Sequence, residues 1–223
     1  VLDASECPPT FGVSYETVQG HIAGGYGALI HAAEGAEDDA EAGIELIDSL
    51  DVNADDTVIG ISASGGARYV IAAVKRAREK GAYTAAITSN PNTPLGRAAE
   101  TEIAAITGAE AVAGSTRMKC GTAQKMVLNM LSTGAMIRLG KVYGNLMVDV
   151  NPSNEKLIRR CVTIVREATG EREEAAVAAL EKCHYACKPA IVMLLRGVDE
   201  NTAKRLLSQA DGRVALALRA VID

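Results

Sequence analysis

At 223 residues, with 48% apolar and 23% charged side chains, the chain is long enough to bury a sizeable core as one domain plus a small appendage. A formal net charge of -5, no Trp and a single Phe argue against a nucleic-acid backbone or a base-stacking platform as partner. No apolar run approaches the ~18 residues of a membrane span.

In chain order, Val1 to Cys7 reads as the end of a helix, because Pro8-Pro9 cannot continue one. Val18 to Ala23 reads as a strand stopped by Gly24-Gly25, and Tyr26 to Ala33 as a helix. Asp38 with Glu41 matches a capping box, and Ile44, Leu46, Ile47 and Leu50 give an apolar stripe for a helix over 39–50. Asp51 to Asp56 is a turn. Val58, Ile59 and Ile61 then form a short apolar run of the kind a buried parallel strand shows. It passes through Ser62-Ala63-Ser64-Gly65-Gly66 into a helix ending near Lys80-Gly81. Tyr83 to Ser89 is a further strand, closed by Asn90-Pro91-Asn92-Thr93-Pro94, and Thr101 to Ile106 a fourth.

Strands and helices alternating at this spacing predict an α/β fold: a parallel sheet with helices on both faces. Residues 119–141 make the longest helix, with Ala123, Met126, Val127, Met130, Leu131, Gly134 and Ile137 recurring at three- and four-residue steps. That stripe is either core or a dimer seam. Asn151-Pro152-Ser153-Asn154 breaks the pattern, with Asn154 placed to cap a helix over 155–168. Short helices follow at 172–184, 187–196, 199–209 and 213–221. The expected division is 1–168 for the sheet domain and 169–223 for a small helical one.

The strand, Ser/Gly turn and helix start at 57–70 form an anion cradle. Unbonded first-turn N–H groups and the positive dipole end face the loop, glycines permit close approach, and Ser62 and Ser64 supply hydroxyl donors beside Gly65. The plainer alternative is that Ser64 only caps the helix. Gly114-Ser115-Thr116-Arg117-Met118-Lys119 is a second such turn, in which Ser115, Thr116 and Lys119 suit an anion, the alternative being a helix cap with solvated cations. Two acidic positions differ in setting. Glu6, at a helix end, feels the negative pole, which favours its proton-bearing form; Glu37, just before a helix start, is favoured as the carboxylate. Such a pair suits acid and base roles, although Glu34, Asp38 and Asp39 oppose the charge on Glu37; the plainer alternative is two capping or solvated carboxylates. The histidines are unclustered, and no P-loop, Rossmann fingerprint or HExxH is present. The five cysteines (Cys7, Cys120, Cys161, Cys183, Cys187) are expected to be buried and reduced, and Cys183-His184-x-x-Cys187 lacks the ligands of a structural zinc site.

DASECPPTFG (3–12), IAGG (22–25), AEGAEDD (33–39), the unbroken block 114–150 and KPAIVMLL (188–195) resemble the N-acetylmuramic acid 6-phosphate etherases, a family on the sugar-isomerase (SIS) fold. The resemblance runs over essentially the whole chain. It implies a flavodoxin-like three-layer sandwich, a ubiquitin-associated-like helical end and a cytoplasmic homodimer without metal or cofactor. It also implies a lyase that removes D-lactate from the C3 ether of a phosphorylated amino sugar by elimination and water addition. The family's acid glutamate falls on Glu6 and its second glutamate on Glu37. The family's first strand and one phosphate loop should precede Val1, so the chain reads as a fragment. Where the family usually reads SGRTPYV, this chain has Ser64-Gly65-Gly66-Ala67-Arg68-Tyr69-Val70, with arginine displaced from 66 to 68. Competing readings on the same fold are a non-catalytic sugar-phosphate-binding regulator and an amino-sugar-phosphate isomerase.

Overall fold

A computed structural model describes residues 1–221. The chain forms two compact units, one of residues 21–129 and one of 1–20 with 130–223.

The unit of residues 21–129 is built on a parallel three-stranded sheet in the order β1 (Thr57–Ile61), β2 (Tyr83–Thr88), β3 (Thr101–Ala104). Ile61 pairs with Ile87 and Thr88 with Ala104, so the strands' carboxyl ends lie at one edge of the sheet. Helix α2 (Ala40–Ser49) packs on α3 (Arg68–Glu79); α3 and the short α4 (Pro94–Ala98) pack on the sheet. Gly60 in β1 explains the closeness of that packing: a Cβ there would stand 2.6 Å from Val74 and 3.0 Å from Leu95. Two small apolar clusters result: Val74, Ala86, Leu95, Ala98 and Ala99 in one, Ile47, Ala73, Ala77 and Ala82 in the other. The expected parallel sheet with flanking helices is borne out, whereas the expected helices on both faces, in three layers, are not seen among the described contacts. The helices that bear on it meet the face carrying Gly60 and Ala86.

The other unit holds α1 (Leu2–Phe11), the carboxyl half of α5 (Lys119–Arg138), a hairpin of β4 (Val142–Tyr143) and β5 (Leu146–Met147), and α6 (Glu155–Thr169), α7 (Glu173–Lys182), α8 (Cys187–Arg196), α9 (Glu200–Gln209) and α10 (Val214–Ala217). One core runs from Val148 through Cys161 and Val165 to Leu180, Ile191, Leu206 and Val214. Helix α6 therefore shares its core with the helices after it, and a boundary at 168/169 would cut through continuous packing. Emptying such a core position, as in Leu→Ala, costs ~2–5 kcal/mol. All five cysteines are buried and free, and burial raises the Cys183 thiol to about 11.

Several expectations need correction. Helix α1 does not end before the prolines but runs through Pro8 and Pro9 to a left-handed cap at Gly12. Burial of Cys7 and Phe11 with Met136 holds the last turn in place of the two missing N–H groups. The segment 18–23 forms no strand; Gln19 to Ile22 are exposed, with too few apolar residues to bury. Only a 3-10 turn, Tyr26–Leu29, occupies the stretch read as a helix. Asp39, not Asp38, caps α2, accepting from Ala42 N–H at 3.0 Å. Helix α5 stops at Arg138, and Gly140 at φ 73 turns the chain into the hairpin.

Candidate functional site

The Ser62–Gly66 loop leaves the carboxyl end of β1, where parallel sheets bind ligands. It is tied to its neighbours by the backbone: Ser62 N–H donates to Ile87 (3.1 Å), Ser89 N–H to Ala63 (2.9 Å) and Leu95 N–H to Gly65 (3.0 Å). Ser62 Oγ accepts from Gly65 N–H at 3.1 Å and Ser64 Oγ from Gly66 N–H at 3.2 Å. Each hydroxyl thus has an acceptor site taken by the loop, and one of the pair donates to the other, which leaves the pair one hydroxyl hydrogen to donate outward. The two oxygens stand 3.5 Å apart, close enough to serve one anion. The question whether Ser64 caps the helix is answered by α3 itself. Its N-cap is Ala67, without a side-chain cap, so the first-turn N–H groups keep their donors for a ligand. Arg68 stands exposed in that first turn.

The loop's shape depends on Gly65, buried at φ 68, where an added Cβ would lie 2.3 Å from Thr93 Cβ. Thr93 caps α4, accepting from Gly96 N–H at 2.9 Å. Its hydroxyl also meets Glu102 Oε1 at 3.1 Å. Burial opposes charge on Glu102, but the N–H groups of Thr93 and Asn92, the Thr93 hydroxyl and nearby Arg97 outweigh it and hold its carboxyl below the ordinary range. Neither Thr93 nor Glu102 stands at a motif's spacing, so the sequence alone carries no signal for either.

The second anion turn is arranged differently from expectation. Glu110, half-buried, accepts Lys119 N–H and Cys120 N–H on its two carboxylate oxygens, each at 3.0 Å. The start of α5 therefore already holds an anion from the chain. The N–H groups of Cys120 and Lys119 keep the Glu110 carboxyl below its usual range. What the turn still offers a ligand is the hydroxyls of Ser115 and Thr116 and the Lys119 ammonium; Thr116 and Lys119 are exposed and Ser115 half-exposed.

Glu6 lies exposed in the middle of α1, not at the helix end where the sequence places it. Glu37 lies exposed in the 3-10 turn Ala36–Asp38, directly ahead of α2 as expected. The two glutamates belong to different compact units, Glu6 to 1–20 with 130–223 and Glu37 to 21–129.

A parallel sheet with a Ser/Gly cradle at its carboxyl edge defines the class: a SIS domain, whose family model matches residues 38–134. The chain is 54% identical over 218 residues to an N-acetylmuramic acid 6-phosphate etherase of Serratia proteamaculans (strain 568), covering 98% of this chain and 73% of that protein. Etherases of Yersinia pestis (strain Pestoides F) and Yersinia pseudotuberculosis serotype O:1b (strain IP 31758) match at 54% identity over 98% of this chain and 74% of theirs. The chain belongs to the N-acetylmuramic acid 6-phosphate etherase family, an enzyme family of carbon–oxygen lyases. This match favours the etherase reading over a non-catalytic regulator or an isomerase.

Proposed function

We propose that the chain cleaves the D-lactyl ether of N-acetylmuramic acid 6-phosphate, giving N-acetylglucosamine 6-phosphate and D-lactate. The observation that carries the reading to a phosphorylated ligand is the Ser62–Gly66 loop, with two oriented hydroxyls ahead of an uncapped helix start. In this reading Ser62, Ser64 and Gly65 hold the phosphate, Arg68 reaches the same anion from the first turn of α3, and Ser115, Thr116 and Lys119 add polar contacts to the substrate.

The chemistry follows from the ring-opened sugar. Its C1 aldehyde acidifies the C2 proton; Glu37 as carboxylate removes that proton, and the electron pair forms the C2–C3 double bond. The C3–oxygen bond breaks, and Glu6 donates a proton to the departing lactyl oxygen. Water then adds at C3 while C2 is reprotonated. Each carboxyl group changes state once in the elimination and is reset by the addition.

Lactate release from N-acetylmuramic acid 6-phosphate tests the reaction and the acid together. Release by the native protein, with a loss of roughly 10²–10⁴-fold in Glu6→Gln, is expected. Tight binding of the phosphosugar without release would favour the regulator reading. For the base, Glu37→Gln is expected to abolish exchange of the C2 hydrogen with deuterated water; exchange at full rate would remove Glu37 from that role.

The homodimer belongs to the same proposal. Met126 (48% exposed), Met130 (61%) and Ile137 (53%) leave much of the apolar stripe of α5 uncovered, supporting a second copy as its cover. A cytoplasmic setting is likewise proposed, supported by five free cysteines. No described helix is long and apolar enough to cross a membrane.

A further inference from the structure

We propose that Glu102 is a positioning residue for phosphate binding, acting through Thr93 on the Ser62–Gly66 loop. The inference rests on the assignment of that loop as the phosphate cradle and adds a residue that the loop's own motif does not contain.

Glu102 projects from β3 beneath the 90–94 turn and gathers three donors. Asn92 N–H reaches Oε2 at 3.1 Å; Thr93 N–H and the Thr93 hydroxyl reach Oε1 at 3.2 and 3.1 Å. The turn needs this support, because Asn92 stands at φ 58, a left-handed conformation that costs a side-chain-bearing residue energy. Arg97 steadies the same turn by donating to the Asn92 carbonyl. Room for the carboxylate exists only because residue 96 is glycine: a Cβ there would come within 2.0 Å of Glu102 Oε1.

Thr93 passes the arrangement on. It is 5% exposed and packs so tightly on Gly65 that a Cβ at Gly65 would overlap it at 2.3 Å, while Leu95 N–H holds the Gly65 carbonyl at 3.0 Å. Gly65 N–H in turn fixes Ser62 Oγ. A carboxylate on β3 thereby sets the turn, the turn sets Gly65, and Gly65 sets the hydroxyl that meets the phosphate. A residue that served only to steady the sheet would not end its chain of contacts on the loop.

The test compares Glu102→Gln, Thr93→Val, Thr93→Ser and Ser64→Ala. The readouts are KM and kcat for lactate release, and the Kd for N-acetylglucosamine 6-phosphate by calorimetry. A glutamine at 102 must turn an N–H toward one of the three donors, so the turn shifts. Glu102→Gln and Thr93→Val are expected to raise KM and Kd roughly tenfold, about 1.4 kcal/mol, with kcat within about threefold. Thr93→Ser, which keeps the hydroxyl, is expected to retain native values. Unchanged KM and Kd in Glu102→Gln, or a fall in kcat at unchanged KM, would overturn the inference. Should Glu102→Gln fail to fold, the Thr93 pair decides on the same criterion. Ser64→Ala separates the two claims. If it leaves Kd unchanged, the loop assignment fails; if it weakens binding while the Glu102 and Thr93 variants do not, only the positioning role fails.

Discussion

Gly65 concentrates the requirements of the cradle in one residue. Its φ of 68 is a conformation that costs an L-residue ~1–2 kcal/mol, and the Thr93 side chain fills the space a Cβ would need. Gly65→Ala is therefore expected to lower stability by about 2 kcal/mol in urea unfolding and to weaken the phosphosugar at the same time. Gly66 offers the control: a Cβ there would meet only Ser64 Oγ, at 3.6 Å, so Gly66→Ala is expected to be nearly neutral for folding. The sequence made the Ser62, Ser64 and Gly65 triad visible, because a Ser/Gly turn between an apolar strand and a helix has a local signature. Thr93 and Glu102 were invisible for the opposite reason. They reach the loop from 28 and 37 positions further along the chain, through a fold that spacing does not report.

Among the elements, the ends of helices divide most clearly into those legible beforehand and those not. Asn154 caps α6 as expected, accepting from Leu157 N–H at 3.0 Å, because an Asn ahead of an apolar-periodic run carries its own signal. The start of α5 carries none, since its anion comes from Glu110, nine residues ahead of Lys119. Helix α1 misled because the proline rule speaks of lost hydrogen bonds and not of the burial that replaces them. The hairpin at 142–147 was missed because strands of two residues have no period to read. The Glu110 cap has a pH signature. A carboxyl held below its ordinary value, near 4.5, contributes stability that is present above that value and lost as pH falls through the lower folded one. Glu110→Gln is thus expected to melt lower than the native protein at pH 7, with the gap closing in thermal denaturation as the pH falls below the ordinary carboxyl value.

At the scale of the whole molecule, the division between the sheet and the later helices falls elsewhere than the motifs suggested. The helices after residue 170 do not form a separate appendage but complete a core begun by β5 and α6. Helix α5 buries only Cys120 and Met136 among its apolar side chains, and neither belongs to the stripe that periodicity alone left open between core and dimer seam; Met126, Met130, Leu131 and Ile137 of that stripe stay exposed. Covering Met130 with a second copy predicts that Met130→Glu lowers the mass measured by light scattering from that of a dimer to that of a single chain, whereas an unchanged mass would place the seam elsewhere.

The uncapped start of α3 also gives the cradle a built-in reporter. The amides of Ser62, Ser89 and Leu95 are locked in backbone bonds, while those of the first turn of α3 meet no carbonyl of their own helix. Hydrogen exchange with solvent should therefore divide the loop into a slow set and a fast set a few residues apart. An anion seated in the cradle slows only the fast set, so occupancy is legible from labelling kinetics in a protein that is not turning over.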